Sequence, residues 1–155
     1  MSNEQKHKNI SITNRKARHE YHIGETFEAG LVLVGTEVKS IRAGQASITE
    51  AYCKMENGEI FIYGMHVAPF EQGNRFNVDP LRPRKLLLRR GEINRISRQL
   101  AEKGLTLIPL KVFFSRGYAK MNIGLARGKK LWDKRESITQ RDTERERLRQ
   151  ESERY

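Results

Sequence analysis

Alternating apolar and polar positions run through the middle of the chain and predict short β-strands. The pattern begins near Glu20 and predicts a first strand over residues 21–34. Its inward face would carry Phe27, Ala29, Leu31 and Leu33. Glu28 lies on the opposite parity, so this strand would present Glu28 to a partner.

The clearest local signal is the dipeptide Asn57-Gly58. Both residue types tolerate a positive φ, which favours a type I′ turn between strands 48–56 and 59–67. The hairpin would pair Met55 with Ile60, Cys53 with Ile62, and Tyr52 with Tyr63.

Alternation also marks the last two strands. Pro109 stands where the apolar parity changes between Leu107 and Leu110, which predicts a bent strand. After a turn at residues 115–117, the final strand would face inward with Ala119, Met121, Ile123 and Leu125. Lys120 would therefore face outward.

Helical spacing appears in two segments. A short helix capped by Thr36 would end before Gly44. Ile93, Ile96 and Leu100 predict a helix over residues 91–103, with Gly104 as its stop signal. Residues 69–83 hold three of the four prolines and predict a long surface loop.

The elements together predict a mainly β fold. Five or six short antiparallel strands with two or three helices suit a small oligonucleotide-binding-type barrel, and a two-layer α+β sandwich would also fit. We expect a flexible arm over residues 1–13, a barrel over 14–130 and a tail over 131–155.

Charge changes this picture by indicating the partner. The chain has 30 Lys and Arg residues against 19 Asp and Glu, a net charge of +11. Such a surplus attracts nucleic acid, and the chain has no apolar run of about 18 residues that would favour a membrane. The lone Cys53 in a strand pattern predicts a buried thiol, and the absence of a signal segment suggests a cytoplasmic protein.

Almost the whole surplus lies in two stretches without acids, residues 82–90 and 116–132. A third basic element, residues 15–22, adds His19 and Tyr21 for stacking or hydrogen bonding. The tail beyond residue 132 has few large apolar side chains, and Arg141, Arg145 and Arg149 recur at four-residue spacing. We expect this tail to be disordered alone and helical along a polyanion.

Two other function classes remain open at this point. Glu28, Glu37 and Glu50 could form the acid cluster of a metal-dependent nuclease if the fold brought them together. A general single-strand binder would need several aromatic side chains on adjacent strands, and the aromatic residues are few and dispersed. His19 and His22 alone are too few for a metal site, and no phosphate-binding loop, zinc-type cysteine array or nucleophile elbow is present.

Several blocks, in this order, carry a family resemblance. They are residues 14–21 (NRKARHEY), 27–31 (FEAGL), 37–40 (EVKS), 84–88 (RKLLL), 128–130 (GKK) and 133–135 (DKR). The chain resembles the small protein B family, the SsrA-binding proteins of bacterial trans-translation. The likeness extends from about residue 14 to 135.

The resemblance implies an oligonucleotide-binding-type barrel that binds the tRNA-like domain of transfer-messenger RNA and completes its tRNA shape. The complex, with alanylated RNA and elongation factor Tu, would enter stalled ribosomes, and the tail would occupy the decoding centre and empty messenger channel. It further implies a monomer without cofactor, metal or catalytic activity.

Site residues follow from the same resemblance. The RNA-binding surface would comprise Asn14, Arg15, Lys16, Arg18, His19, Glu28, Arg84, Lys85, Leu87 and Lys120. The ribosome-binding tail would comprise Arg127, Gly128, Lys129, Lys130, Trp132, Asp133, Lys134, Arg135, Arg141, Arg145 and Arg149. Leu87 could equally be a core residue. Trp132 stands where the family commonly has histidine, which keeps stacking on a base and removes protonation.

Overall fold

The computed structural model describes residues 10–71 and 77–129. Within these ranges the chain forms nine strands and three helices. They are β1 Ser11–Thr13, α1 Ala17–Glu20, β2 Tyr21–Leu31, α2 Gly35–Arg42, β3 Ala46–Ser47, β4 Tyr52–Glu56, β5 Glu59–Tyr63, β6 His66–Val67, β7 Arg84–Leu87, α3 Arg90–Lys103, β8 Thr106–Ser115 and β9 Tyr118–Gly128.

Strand pairing closes six of the strands into a barrel. The main sheet has the order β1-β8-β4-β5-β7-β2-β9, and β8 also pairs with β9. This second pairing joins β8, β4, β5, β7, β2 and β9 into a ring, and every pairing is antiparallel. The mainly β fold expected from the sequence is confirmed, and the ring excludes the two-layer sandwich.

The hairpin at Asn57-Gly58 is confirmed in detail. Asn57 has φ 51° and Gly58 has φ 77°, as a type I′ turn requires. The strands pair in the expected register, including Cys53 with Ile62. Cys53 is buried, and this burial raises the pKa of its thiol, as expected for a structural cysteine.

The expected bend in β8 is also present. The register of β8 against β9 shifts between Pro109 and Lys111. Proline has no N–H for the ladder, so it is tolerated at such an irregularity. The turn that follows β8 uses positive φ at Arg116 and Gly117.

The barrel interior holds apolar side chains from alternate positions of its strands. Ile60, Ile62, Leu86, Met121 and Ile123 are fully buried there. On α3, Ile93 and Ile96 are buried in the same cluster, and Gly104 ends the helix at φ 60°. No helix in the described ranges combines the length and apolar character needed to cross a membrane.

Several expected boundaries are wrong. The strands expected over residues 21–34 and 48–56 span Tyr21–Leu31 and Tyr52–Glu56, and the strand expected over residues 59–67 ends at Tyr63. Thr36 does not cap α2, because the helix begins at Gly35, where the Val34 N–H donates to Glu37 Oε1 at 3.0 Å. Ordered structure also begins before Glu20. Residues 11–13, assigned to the flexible arm, form β1, since the edge of β8 beyond β4 offers unpaired backbone groups to them.

Candidate RNA-binding surface

One cross-strand row on the outside of the barrel brings distant parts of the sequence together. Leu87 on β7 pairs with Gly30 on β2, and Gly30 pairs with Lys120 on β9. Glu28 lies two residues before Gly30 on the same face and pairs with Asn122. The structure therefore places Leu87, Glu28 and Lys120 on one outer surface, which we call the β2 face.

The charges of the β2 face are available to a ligand. Glu28 is exposed and Lys120 is half-buried, and neither has an ion-pair partner among residues 10–71 and 77–129. A carboxylate can accept hydrogen bonds from base amino groups, whereas an ammonium suits a phosphate. The surface thus offers both an acceptor and a cation to RNA.

Leu87 is a surface residue and not a core residue. Its side chain is 53% exposed, whereas its neighbour Leu86 is fully buried in the barrel. Because Gly30 has no side chain, Leu87 can lie close to the sheet at this position. A Cβ at Gly30 would come within 3.3 Å of Leu87 Cβ. Gly30 is not among the site residues expected from the sequence, although its parity with Glu28 places it on the outward face.

Arg84 is not available to RNA, so its assignment to the RNA-binding surface is wrong. Its side chain is 0% exposed and its Nε donates to Glu37, which is itself only 3% exposed. The two terminal nitrogens donate to Met65 O at 2.7 Å and Pro80 O at 3.1 Å. Burial without these partners would be prohibitive, so Arg84 is a structural clamp.

Glu37 is the acceptor of this clamp and also binds Arg82. Burial opposes ionisation of Glu37, but hydrogen bonds from Arg82, the Val34 N–H and Arg84 outweigh it. The pKa of the Glu37 carboxyl is consequently held below its usual value. A carboxylate occupied in this way is not free to bind a catalytic metal with Glu28 and Glu50.

Lys85 remains on the outer surface, two residues before Leu87. Its side chain is partly exposed, and Nζ lies 3.8 Å from Glu59 Oε2. Glu59 also contacts Arg90 at 3.5 Å. Lys85 is therefore a partly neutralised cation at the edge of the β2 face.

Asn14 holds the chain before α1 against the bend in β8. It is buried, its Nδ2 donates to Pro109 O at 2.9 Å, and its backbone N–H donates to Leu110 O. Its Oδ1 has no hydrogen-bond partner among the described residues. Asn14 thus positions α1, and a direct contact between Asn14 and RNA stays a prediction.

The remaining basic residues of this segment surround α1. Arg15, Lys16, Arg18 and His19 are all exposed. Lys16 Nζ lies 3.1 Å from Glu50 Oε1, and this hydrogen bond raises the pKa of Lys16. Within the described ranges, no group of three or more His, Cys, Asp or Glu side chains is arranged to hold a metal.

The end of β9 is joined to α1. Lys129 Nζ donates to the backbone oxygen of Arg18 at 2.7 Å, and Gly128 pairs with Tyr21. Arg127 pairs with His22 in the same ladder. The other expected tail residues lie outside the described ranges: Lys130, Trp132, Asp133, Lys134, Arg135, Arg141, Arg145 and Arg149.

Comparison with known proteins gives these features a context. The SsrA-binding protein of Acetivibrio thermocellus is 58% identical over 90% of both chains. That of Desulforudis audaxviator is 59% identical over 86% of this chain and 87% of its own. A solved structure described as "tmRNA-SmpB: a journey to the center of the bacterial ribosome" contains a chain with 52% identity and a TM-score of 0.65. The match covers 77% of this chain and 84% of that one.

A family-level match agrees with these relatives. The sequence model described as "SmpB protein" matches residues 11–153, which include the barrel and the segment after it. Because this match spans far more than half of the chain, the chain belongs to the SmpB protein family.

Proposed function

We propose that this chain binds the tRNA-like domain of transfer-messenger RNA and delivers that RNA to stalled ribosomes for trans-translation. The observation that carries the proposal is the β2 face, where Glu28, Leu87 and Lys120 meet from three strands. The family's members are SsrA-binding proteins, and the similar solved chain comes from a complex of such a protein with transfer-messenger RNA.

Each part of the β2 face has a distinct task. Lys120 binds a backbone phosphate, which supplies affinity and makes binding salt-dependent. Glu28 accepts a hydrogen bond from a base amino group. A phosphate has no N–H group and could not donate this hydrogen bond. The exposed cations around α1 lie at the other end of β2, where Tyr21 pairs with Gly128, and they add to the positive field of the whole molecule.

Delivery requires a second interaction with the ribosome. The barrel takes the place of the part of a tRNA that the tRNA-like domain lacks. The tail, residues 131–155, enters the decoding centre and empty messenger channel. Elongation factor Tu carries the alanylated RNA of the same complex. The protein itself acts as a cytoplasmic monomer and catalyses no step.

A salt-controlled competition tests the first part of the proposal. The labelled tRNA-like domain is bound to the full chain and competed with bulk tRNA at several salt concentrations. Preference for the tRNA-like domain at every ionic strength is expected, because specificity is meaningful only at defined salt. Equal competition by bulk tRNA would reject the proposed specificity.

Lys120→Ala tests the surface itself. It should weaken binding and lower the slope of log K against log salt by about 1, as expected for one lost phosphate contact. Lys54→Ala is the matched control, because Lys54 is an exposed lysine on β4, away from the β2 face. Equal losses from both changes would indicate a general charge effect and contradict a defined site.

Deletion of residues 134–155 tests the division of labour. Binding to the tRNA-like domain should persist, and tagging on stalled ribosomes should be lost. If the deletion reduces RNA affinity as much as Lys120→Ala does, the two interactions are not separate.

A magnesium-dependent cleavage assay, with Glu28→Ala as comparison, tests the absence of catalysis.

A further inference from the structure

The end of β9 lies against the short helix α1, which forms near the start of the chain. Gly128 pairs with Tyr21, the residue that directly follows α1. One residue later, Lys129 Nζ donates to the backbone oxygen of Arg18 at 2.7 Å. No carboxylate in the described part of the chain lies within ion-pair distance of Lys129. The bond to Arg18 O is therefore the contact that places this ammonium group.

The backbone oxygen of Arg18 cannot find a donor within α1. The helix ends at Glu20, and Tyr21 has φ −134° and ψ 144°, which is extended backbone. In a longer helix the N–H of His22 would donate to this oxygen, but His22 belongs to β2. Lysine side chains near a helix C-terminus commonly bind such carbonyl groups. Lys129 therefore caps α1 from the far end of the barrel sequence.

The helix that Lys129 caps is itself fixed on the outside of the barrel. Ala17 is buried in a small cluster with Ile108 on β8 and Ala126 on β9. Asn14, just before the helix, donates to Pro109 O at 2.9 Å at the bend of β8. These contacts join α1 to two strands. A side chain that is bonded to α1 is consequently held in place by the barrel as a whole.

We propose that Lys129 is a positioning residue, which caps α1 and thereby sets the point on the barrel from which the ribosome-binding tail departs. This inference rests on the function proposed above. It gives Lys129 a role inside the protein, whereas the family resemblance implies a contact with the ribosome. The β2 face lies at the other end of β2, so loss of the cap should lower tagging on stalled ribosomes without weakening the binding of the tRNA-like domain.

Amide hydrogen exchange of the free, full-length protein tests the cap in the absence of any ribosome. Lys129→Met keeps a side chain of similar length and removes its donor. The amides of Glu20 and Tyr21, which donate to carbonyl groups of this segment, should then exchange about two- to fivefold faster, the usual effect of removing a cation from a helix C-terminus. Lys54→Met is the matched control at an exposed lysine on β4 and should leave both amides unchanged. Unchanged exchange in Lys129→Met would overturn the cap.

Tagging on stalled ribosomes tests the consequence of the cap. With limiting complex, Lys129→Met should lower the tagging rate by about the same two- to fivefold, because only capped molecules start in the competent arrangement. Lys129→Arg retains an N–H donor and should restore most of the rate. Failure of the proposed function has a different signature: the wild-type protein would then support no tagging, whatever the exchange of the α1 amides shows.

A second variant separates positioning from a direct contact between Lys129 and the ribosome. Ala17→Leu places a larger side chain against Ile108 and Ala126, which displaces α1 and moves Arg18 O out of reach. If Lys129 acts through α1, adding Lys129→Met to Ala17→Leu should cause no further loss of tagging. The full two- to fivefold loss in this background would assign Lys129 to the ribosome and overturn the proposal.

A variant at another contact of α1 keeps this test decisive if Ala17→Leu does not fold, as thermal unfolding would show. Asn14→Ala removes the bond to Pro109 O and loosens α1 from the bend of β8. The effect of Lys129→Met is again measured with and without this change, so any loss caused by Asn14→Ala alone cancels. An undiminished effect of Lys129→Met would likewise reject the positioning role.

Discussion

Replacement of Arg84 by alanine should unfold the protein more readily without removing an RNA contact. The substitution leaves the buried Glu37 carboxylate without its most buried partner and removes donors from Met65 O and Pro80 O. Breaking a buried ion pair from one side costs about 3–5 kcal/mol. This is a large share of the roughly 5–15 kcal/mol by which a domain is stable.

Urea unfolding measures this effect directly. For a slope of about 2 kcal/mol/M, a loss of about 4 kcal/mol lowers the midpoint by about 2 M. Arg98→Ala is the control, because it removes the same charge from an exposed position on α3. Its free energy of unfolding should change by less than about 0.5 kcal/mol, which at the same slope shifts the midpoint by less than about 0.25 M.

RNA-binding measurements distinguish a structural role of Arg84 from its assignment to the RNA-binding surface. Below the unfolding transition, Arg84→Ala should retain the wild-type affinity per folded molecule and the wild-type salt slope. A variant with an unchanged urea midpoint and a salt slope reduced by about 1 would refute the clamp. Adding Glu37→Gln to Arg84→Ala should restore part of the stability, because the stranded charge is then removed.

Three further changes test other parts of the fold. The pKa of Glu37 is lower in the folded state than its unfolded value of about 4.3, so ionised Glu37 stabilises the fold above that pH, and this stabilisation is lost as the pH falls through the folded-state pKa. In urea unfolding, the free energy of unfolding of Glu37→Gln should therefore decline less in acid than that of the wild type. The hydrogen bond to Glu56 raises the pKa of Tyr63 to about 12, so Tyr63→Phe should remove a late-ionising phenol from an ultraviolet titration. Gly64→Ala should lower the free energy of unfolding, measured in urea, by more than about 1 kcal/mol, because Gly64 has φ +73° and a Cβ would lie 2.9 Å from a backbone oxygen. Gly91→Ala is the control, because a Cβ at Gly91 would meet no atom within 4 Å.

Period-two alternation predicted much of the site before any tertiary information. It placed Glu28 and Lys120 outward, and the turn chemistry of Asn57-Gly58 fixed the hairpin register. These features depend on neighbouring residues along one strand or across one short turn. Local physical rules therefore suffice for them.

The wrong predictions concern residues whose structure depends on contacts with residues far away in the sequence. Arg84 sits in a basic run, yet it shares its parity with the buried Leu86. Its burial depends on distant partners, above all the carboxylate of Glu37, which lies 47 residues earlier. The three residues of β1 are too few to show alternation, and their partner strand begins almost a hundred residues later. The alternation along the strand already indicated that Arg84 faces inward with Leu86. Its positive charge led instead to its assignment to the surface.

The bond from Lys129 to Arg18 has a consequence for the order of synthesis. Its two residues are 111 positions apart, so it cannot form until β9 has been made and has paired with β2. A ribosome produces α1 early and the end of β9 late. Lys129, where the described part of the chain ends, is therefore held against α1 only on a completed barrel, and this attachment does not yet exist in a partly folded chain.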